Sequence, residues 1–201
     1  VARRSEPTGR REQLLDQALV LVAEGGLGAL THRAVERAAG VPHGSVTYHL
    51  GTTEELIGAL VERMAATCQE QVAGIARDIT LALAPRGREL DPAAVAGALL
   101  RWMDEGRALH LARFELELAA ARDPRLRAHM SRAALVFWRL CEPVVLAMGS
   151  DRPELHGRAM AAMVDGLLLD HLAHDPVGPE VVEAGVVHLL RSWAPADAST
   201  T

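Results

Sequence analysis

Thr31-His-Arg-Ala-Val-Glu-Arg-Ala-Ala-Gly40-Val-Pro-His-Gly-Ser45-Val-Thr-Tyr-His-Leu50-Gly-Thr-Thr-Glu-Glu-Leu56 is the stretch that decides the fold of this 201-residue chain. Thr31 can cap a short helix that runs to Ala39, and Gly40 closes it. After a tight turn at Gly40-Val41-Pro42, a second short segment covers His43 to Leu50. Two helices of two to three turns do not persist alone in water. Val35, Ala38, Ala39, Val41, Val46 and Leu50 must therefore pack them on each other and on a preceding helix. Two short helices about a right angle apart, joined by a glycine-containing turn, form a helix-turn-helix. The second is narrow enough for the major groove, about 12 Å wide in B-DNA.

The second helix offers His43, Ser45, Thr47, Tyr48 and His49, all short or planar hydrogen-bonding groups, with no acid among them. Serine and threonine can bond base edges or phosphates, and a threonine methyl can touch a thymine methyl. Gly44 lets the backbone approach closely. The N-terminus of the first helix, with Thr31, His32 and Arg33, forms a candidate phosphate clamp. Thr52 and Thr53 supply a second at the next helix start, where Thr52-Thr53-Glu54-Glu55 has capping-box spacing. A turn that serves packing alone is the plainer alternative. Cap, turn glycine, apolar spacing and an acid-free second helix together favour the DNA-facing one.

These residues resemble the DNA-binding domain of TetR-type repressors, with the motif match running over 10–64. The resemblance implies a nine-helix dimer with an N-terminal three-helix reading head and a C-terminal domain that binds a small molecule. Four positions depart from the family pattern. Glu36 stands where alanine is usual and is expected to point out of the close helix contact. Thr47 holds the place of a common tyrosine, with Tyr48 beside it, and Leu50 replaces a phenylalanine. Thr53 replaces a lysine that often meets phosphate, leaving the helix N-terminus to do so.

Working outward, residues 10–24 carry Leu14, Leu15, Ala18, Leu19, Leu21 and Val22 as a helical apolar stripe, stopped by Gly25-Gly26. A long helix is expected from Thr53 to about Leu83. Asp91-Pro92, Asp123-Pro124 and Gly178-Pro179 each set a capping residue before a proline at the first helical position, and Ser150-Asp151-Arg152-Pro153 does so more loosely. They mark helices near 93–105, 107–121, 125–148, 153–174 and 179–193, with loops at 85–88 and 176–179. The fold class is all-α with about nine helices. The partition is a DNA-binding domain over 1–52, a connecting helix over 53–83, and an effector-binding and dimerisation domain over 84–201.

Composition agrees: 49% of residues are apolar but only 3% aromatic, so leucine, alanine, valine and methionine must build the core. The net charge of −5 excludes nucleic-acid binding over the whole surface. Residues 1–50 nevertheless carry six arginines against five acids, whereas 51–201 carry fifteen against twenty-one. Any polyanion-binding face therefore belongs to the N-terminal end. Arg3, Arg4, Arg10 and Arg11 sit there too, on charge alone a frayed, solvated tail. Cys68 and Cys141 lack metal-ligand spacing and suggest a reducing compartment. With neither a signal peptide nor an apolar run of spanning length, a soluble cytoplasmic protein is expected, without membrane contact.

In the C-terminal part, Trp102, Met103, His110, Phe114, Glu117, Phe137, Trp138, Cys141, Met160 and Met163 are candidates for an effector pocket, apolar with a few polar anchors. Ordinary core is the alternative for each. By family analogy Leu155, Ala159, Gly166 and Leu167 on one helix, with Val182, Gly185, Val186 and Leu189 on the next, pair with a second subunit in a four-helix bundle. Facing their own core is the alternative, and a two-fold partner fits palindromic DNA better. Trp193 follows the second helix. His171 and His174 share a helix face at metal-ligand spacing, but no further ligand is evident, so no metal and no cofactor are expected. No catalytic residues are assigned. The function expected is a ligand-responsive repressor on a palindromic operator, the effector being an unidentified small molecule. The alternatives are a helical interaction module and a small helical enzyme using His110, Glu117 or His171, for which no nucleophile–base spacing is present.

Overall fold

A computed structural model describes residues 7–83, 91–174 and 177–192. Among the described residues there are nine α-helices, one 3-10 turn and no strand. The helices are α1 (Pro7–Gly25), α2 (His32–Ala39), α3 (Ser45–Leu50), α4 (Thr53–Leu83), α5 (Pro92–Glu105), α6 (Arg107–Ala120), α7 (Pro124–Ala147), α8 (Pro153–Ala173) and α9 (Pro179–Ser192). Arg3, Arg4, Trp193 and the 85–88 loop lie outside the described residues, as do Asp175 and Pro176 of the second loop.

Helix boundaries follow the caps. The Thr31 hydroxyl accepts from the Ala34 amide at 3.1 Å. Asp91 takes the Ala93 amide at 3.0 Å, and Asp123 the Arg125 amide at 2.8 Å. Thr52 and Glu55 close the box reciprocally: the Thr52 amide donates to Glu55 Oε2 at 2.7 Å and the Glu55 amide to Thr52 Oγ1 at 3.3 Å. Two local features differ from expectation. A 3-10 turn occupies Leu27–Ala29. Helix α3 starts at Ser45 rather than His43, because Gly44 sits at φ 87, where no L residue enters a right-handed helix readily.

Packing groups the chain otherwise than the partition at residues 52 and 84. One compact unit comprises residues up to Thr67 together with Arg107–Ala134. The other comprises Cys68–Gly106 with Leu135–Thr201. Helices α4 and α7 each contribute to both. The physical reason is α6: Leu109, Ala112, Leu116 and Ala120 form a buried stripe at helical spacing, and α6 packs along α1. Helix α1 buries Leu14, Leu15, Ala18 and Val22. It also meets α2 and α3, which bury Val35, Val46 and Leu50. Each of these Leu and Val side chains stabilises the unit by about 1.5–3 kcal/mol relative to exposure. Arg63 of α4 pairs with Asp16 of α1 at 3.2 Å.

The second unit has two apolar clusters. Cys141, Val144, Val145 and Met148 of α7 gather with Met160, Ala161 and Leu189. Val95 and Ala96 of α5 gather with Val177, Val182 and Val186, and α5 packs along α9.

Candidate nucleic-acid interface

Helix α3 is held by an acid. Glu36 of α2 is 4% exposed. Its Oε1 accepts from the Gly44 amide at 2.8 Å and the Val46 amide at 3.2 Å, and its Oε2 meets His43 Nδ1 at 3.0 Å. It thus caps, from the neighbouring helix, the free amides at the start of α3. This corrects the expectation that Glu36 points out of the helix contact. Burial alone would raise its carboxyl pKa, but the bonds from His43, Val46 and Gly44 outweigh that and hold it below the ordinary carboxylate range. Gly40, at φ 63, turns the chain so that the Val41 amide reaches the Glu36 carbonyl at 3.0 Å.

The expected DNA-facing residues fall on the opposite, outer side. Tyr48 is 84% exposed, and Thr47 and His43 are exposed too. His49 is half-buried with its ring edge against Tyr48 at 4.8 Å between centroids. Val46 and Leu50, in the other phase of the helix, are buried. Ser45 is half-buried and its hydroxyl donates to the Pro42 carbonyl at 2.6 Å, so it braces the turn as well as facing out. His32 approaches Thr47 Oγ1 at 3.2 Å, linking the two helices. Thr31, Arg33, Thr52 and Thr53 are exposed at two helix N-termini. Glu36 is the one acid between Gly25 and Thr53, and it is turned inward. The outer face of α3 therefore carries no carboxylate to repel phosphate.

Residues 14–60 match the family model described as bacterial regulatory proteins, tetR family. Residues 86–192, just over half of the chain, match the tetracyclin repressor-like C-terminal domain. The chain belongs to the TetR family. It is thereby a transcriptional regulator with a helix-turn-helix. The HTH-type transcriptional repressor KstR2 of Rhodococcus jostii (strain RHA1) is 40% identical over 57 residues, which is 28% of this chain and 28% of that protein. The match thus spans little more than a quarter of that relative. Among solved structures, the multidrug binding protein EbrR complexed with ethidium is 30% identical, with 90% of this chain and 97% of that one covered and a TM-score of 0.64. A TetR family member from Streptomyces coelicolor A3 is 28% identical over the same shares, with a TM-score of 0.70.

The C-terminal unit of this TetR-family chain contains an apolar cavity of about 90 Å³. Four of the pocket candidates, Trp102, Phe137, Cys141 and Met160, line it. The other six pocket candidates do not. Met103 is fully buried in the core, Trp138 lies under the Arg158 guanidinium at 4.3 Å, and Met163 is 41% exposed. His110, Phe114 and Glu117 sit on α6 in the other unit, where Arg113 pairs with Glu117 at 2.9 Å and stacks over Phe114. The correction has a simple cause: ring and sulfur content marks buried positions without saying which cluster buries them. Val72, Ile75, Ala76 and Ile79 of α4 line the wall and were missed. Their i, i+3, i+4, i+7 spacing was the available signal.

Helix α8 presents Leu155, Ala159, Met163, Gly166 and Leu169 outward, with Leu167 half-buried. Val182, Val186 and Leu189 of α9 are instead buried in their own protomer, the last two on the cavity wall. For these three the expected partner contact is replaced by their own core. Gly185 is half-buried near Leu167, where an added Cβ would lie 3.2 Å from its Cδ1. His171 and His174 diverge. His171 points inward to Asp104 at 2.9 Å and accepts from the Val177 amide at 3.3 Å, while His174 stays exposed beside Asp170. Among the described residues no helix is long and apolar enough to cross a membrane.

Proposed function

We propose that this protein is a dimeric repressor that holds a palindromic operator through α3 of each subunit and releases it when a small molecule enters the C-terminal cavity. One observation carries the reading: α3 and the turn before it expose Thr47, Tyr48 and His43, and the one acid between Gly25 and Thr53, Glu36, is withdrawn and hydrogen-bonded. Thr47, Tyr48, His49 and His43 read base edges. Thr31, His32, Arg33, Thr52 and Thr53 hold phosphates, and Gly44 and Ser45 set the approach of the backbone. The outward row Leu155, Ala159, Gly166 of α8, with Leu167 and Gly185 beside it, meets a second subunit, placing two α3 helices about 34–36 Å apart for successive major grooves. The relatives support this: KstR2 is described as a repressor, and EbrR was solved in complex with proflavin and with ethidium. Such a protein works in the cytoplasm, on the chromosome.

The ligand acts only through a difference in affinity between the DNA-competent and released states. The test is a gel shift and footprint on the DNA upstream of its own gene. Salt-sensitive, sequence-selective protection of a palindrome is expected. Tyr48→Ala with His49→Ala should lower affinity about 100-fold, at about 1–3 kcal/mol per lost base contact, with melting unchanged. Binding indifferent to both substitutions would overturn the assignment of α3.

A further inference from the structure

All sixteen residues on the cavity wall are Val, Ile, Leu, Ala, Met, Phe, Trp or Cys. No carboxylate or guanidinium lines it. The Cys141 thiol is pushed up to about 12 by burial, then by Asp165 and Glu142, so it stays protonated and offers no thiolate. An ion moved into this cavity would lose its hydration with nothing to replace it. The volume also limits the occupant. About 90 Å³ is smaller than the ~150 Å³ apolar cavity that takes benzene, so one ring enters as Met148 and Met160, unbranched and adaptable, shift aside.

A second hollow shares Ile75 and Trp102 with this cavity and is half polar: Gln71 and Asp78 of α4 and Arg101 and Glu105 of α5 line it beside Gly74 and Ala98. Two carboxylates and one guanidinium line it, so its field favours a donor or a positive charge over an anion.

We propose that the two together take an amphiphile, a one-ring hydrocarbon body seated in the apolar cavity with a hydrogen-bond-donating, non-anionic end in the polar hollow between α4 and α5. The inference rests on the ligand-responsive reading for its regulatory meaning, but not for the binding itself. The charged rim is exposed, so its preference is a few-fold and fades with salt.

The experiment is calorimetric titration of the full chain, without DNA, using 2-phenylethylamine, 2-phenylethanol and phenylacetate, which differ only in the polar end. Saturable binding is expected for the amine and the alcohol, with the amine at least threefold tighter at low salt and phenylacetate weakest. Asp78→Asn with Glu105→Gln should bring the amine to the level of the alcohol. Ala161→Leu, which fills the cavity, should abolish binding of both. If that variant does not fold, Leu99→Ala, which enlarges the cavity, should tighten the two-ring homologue 2-(1-naphthyl)ethylamine relative to the one-ring amine. Phenylacetate binding as tightly as the amine, or no binding of the amine and alcohol sensitive to these cavity substitutions, would overturn the proposal. Operator release is scored separately: binding without release leaves the ligand class standing and sinks the regulatory reading.

Discussion

The α2–α3 turn and the wall of the C-terminal cavity are held by different forces. The turn depends on a carboxylate with three directional partners, Gly44, Val46 and His43, at 2.8–3.2 Å. The cavity wall depends mainly on dispersion and the hydrophobic effect among apolar side chains. Directional contacts admit one geometry, which suits a helix that must meet base edges in register. Apolar contacts tolerate re-packing, which suits a site that must open for a ligand. The difference assigns rigidity to the reading head and adaptability to the cavity.

Removing the carboxylate is the severest way to break that contrast. Glu36→Ala strands the Gly44 and Val46 amides, and melting should fall by roughly 5–10 °C. Operator affinity should fall about tenfold while the amine still binds the C-terminal cavity. Loss of both together would mean the two regions do not behave as distinct. Acid provides a graded version of the same test. A carboxyl pKa held below its ordinary value adds stability above that value and loses it as pH falls through the lowered one. Thermal melting followed from pH 6 downward should therefore decline most steeply beneath the ordinary carboxylate range, and Glu36→Gln should flatten part of that decline. An acid limb identical in the variant would remove Glu36 from the account.

A directional contact in the C-terminal unit, at a buried histidine, sharpens the comparison. His171 is 4% exposed and joins Asp104 of α5 to the Val177 amide ahead of α9. His171→Leu should cost about 2 kcal/mol in chemical unfolding, mostly for the stranded amide. A variant as stable as the parent would show that apolar packing alone sets this region. The smallest effect is expected at Thr53, exposed at the start of α4. Thr53→Lys should add one phosphate contact, tighten operator binding about threefold and steepen its salt dependence by about one counterion. An unchanged salt slope would place α4's N-terminus away from the backbone.

The helices were largely legible because their signals are local. Thr31, Asp91, Thr52 with Glu55, and Asp123 cap the helices they were expected to cap, since a cap depends only on residues two or three positions away. Tyr48 and Thr47 were expected outside and are outside, because Val46 and Leu50 fix the phase of a six-residue helix. Glu36 defeated the reading because its partners lie seven to ten residues on, across a turn whose closeness no local rule encodes. The pocket candidates failed more broadly. His110 and Phe114 look as apolar or aromatic as Phe137, yet α6 belongs with α1. Val182 and Val186 had the stripe expected of a dimer face and use it on α5.

Sequence alone thus determined that the chain is all-α, where most of its helices lie, and which face of α3 is outermost, because capping, glycine turns and a 3.6-residue period act within a few residues. Tertiary structure alone decided which stripe meets which, that Glu36 buttresses α3, and that α4 rather than α6 walls the cavity. The physical reason is that burial is non-directional: an apolar stripe demands a cover without naming it, and a buried charge is tolerated only where folding brings it partners.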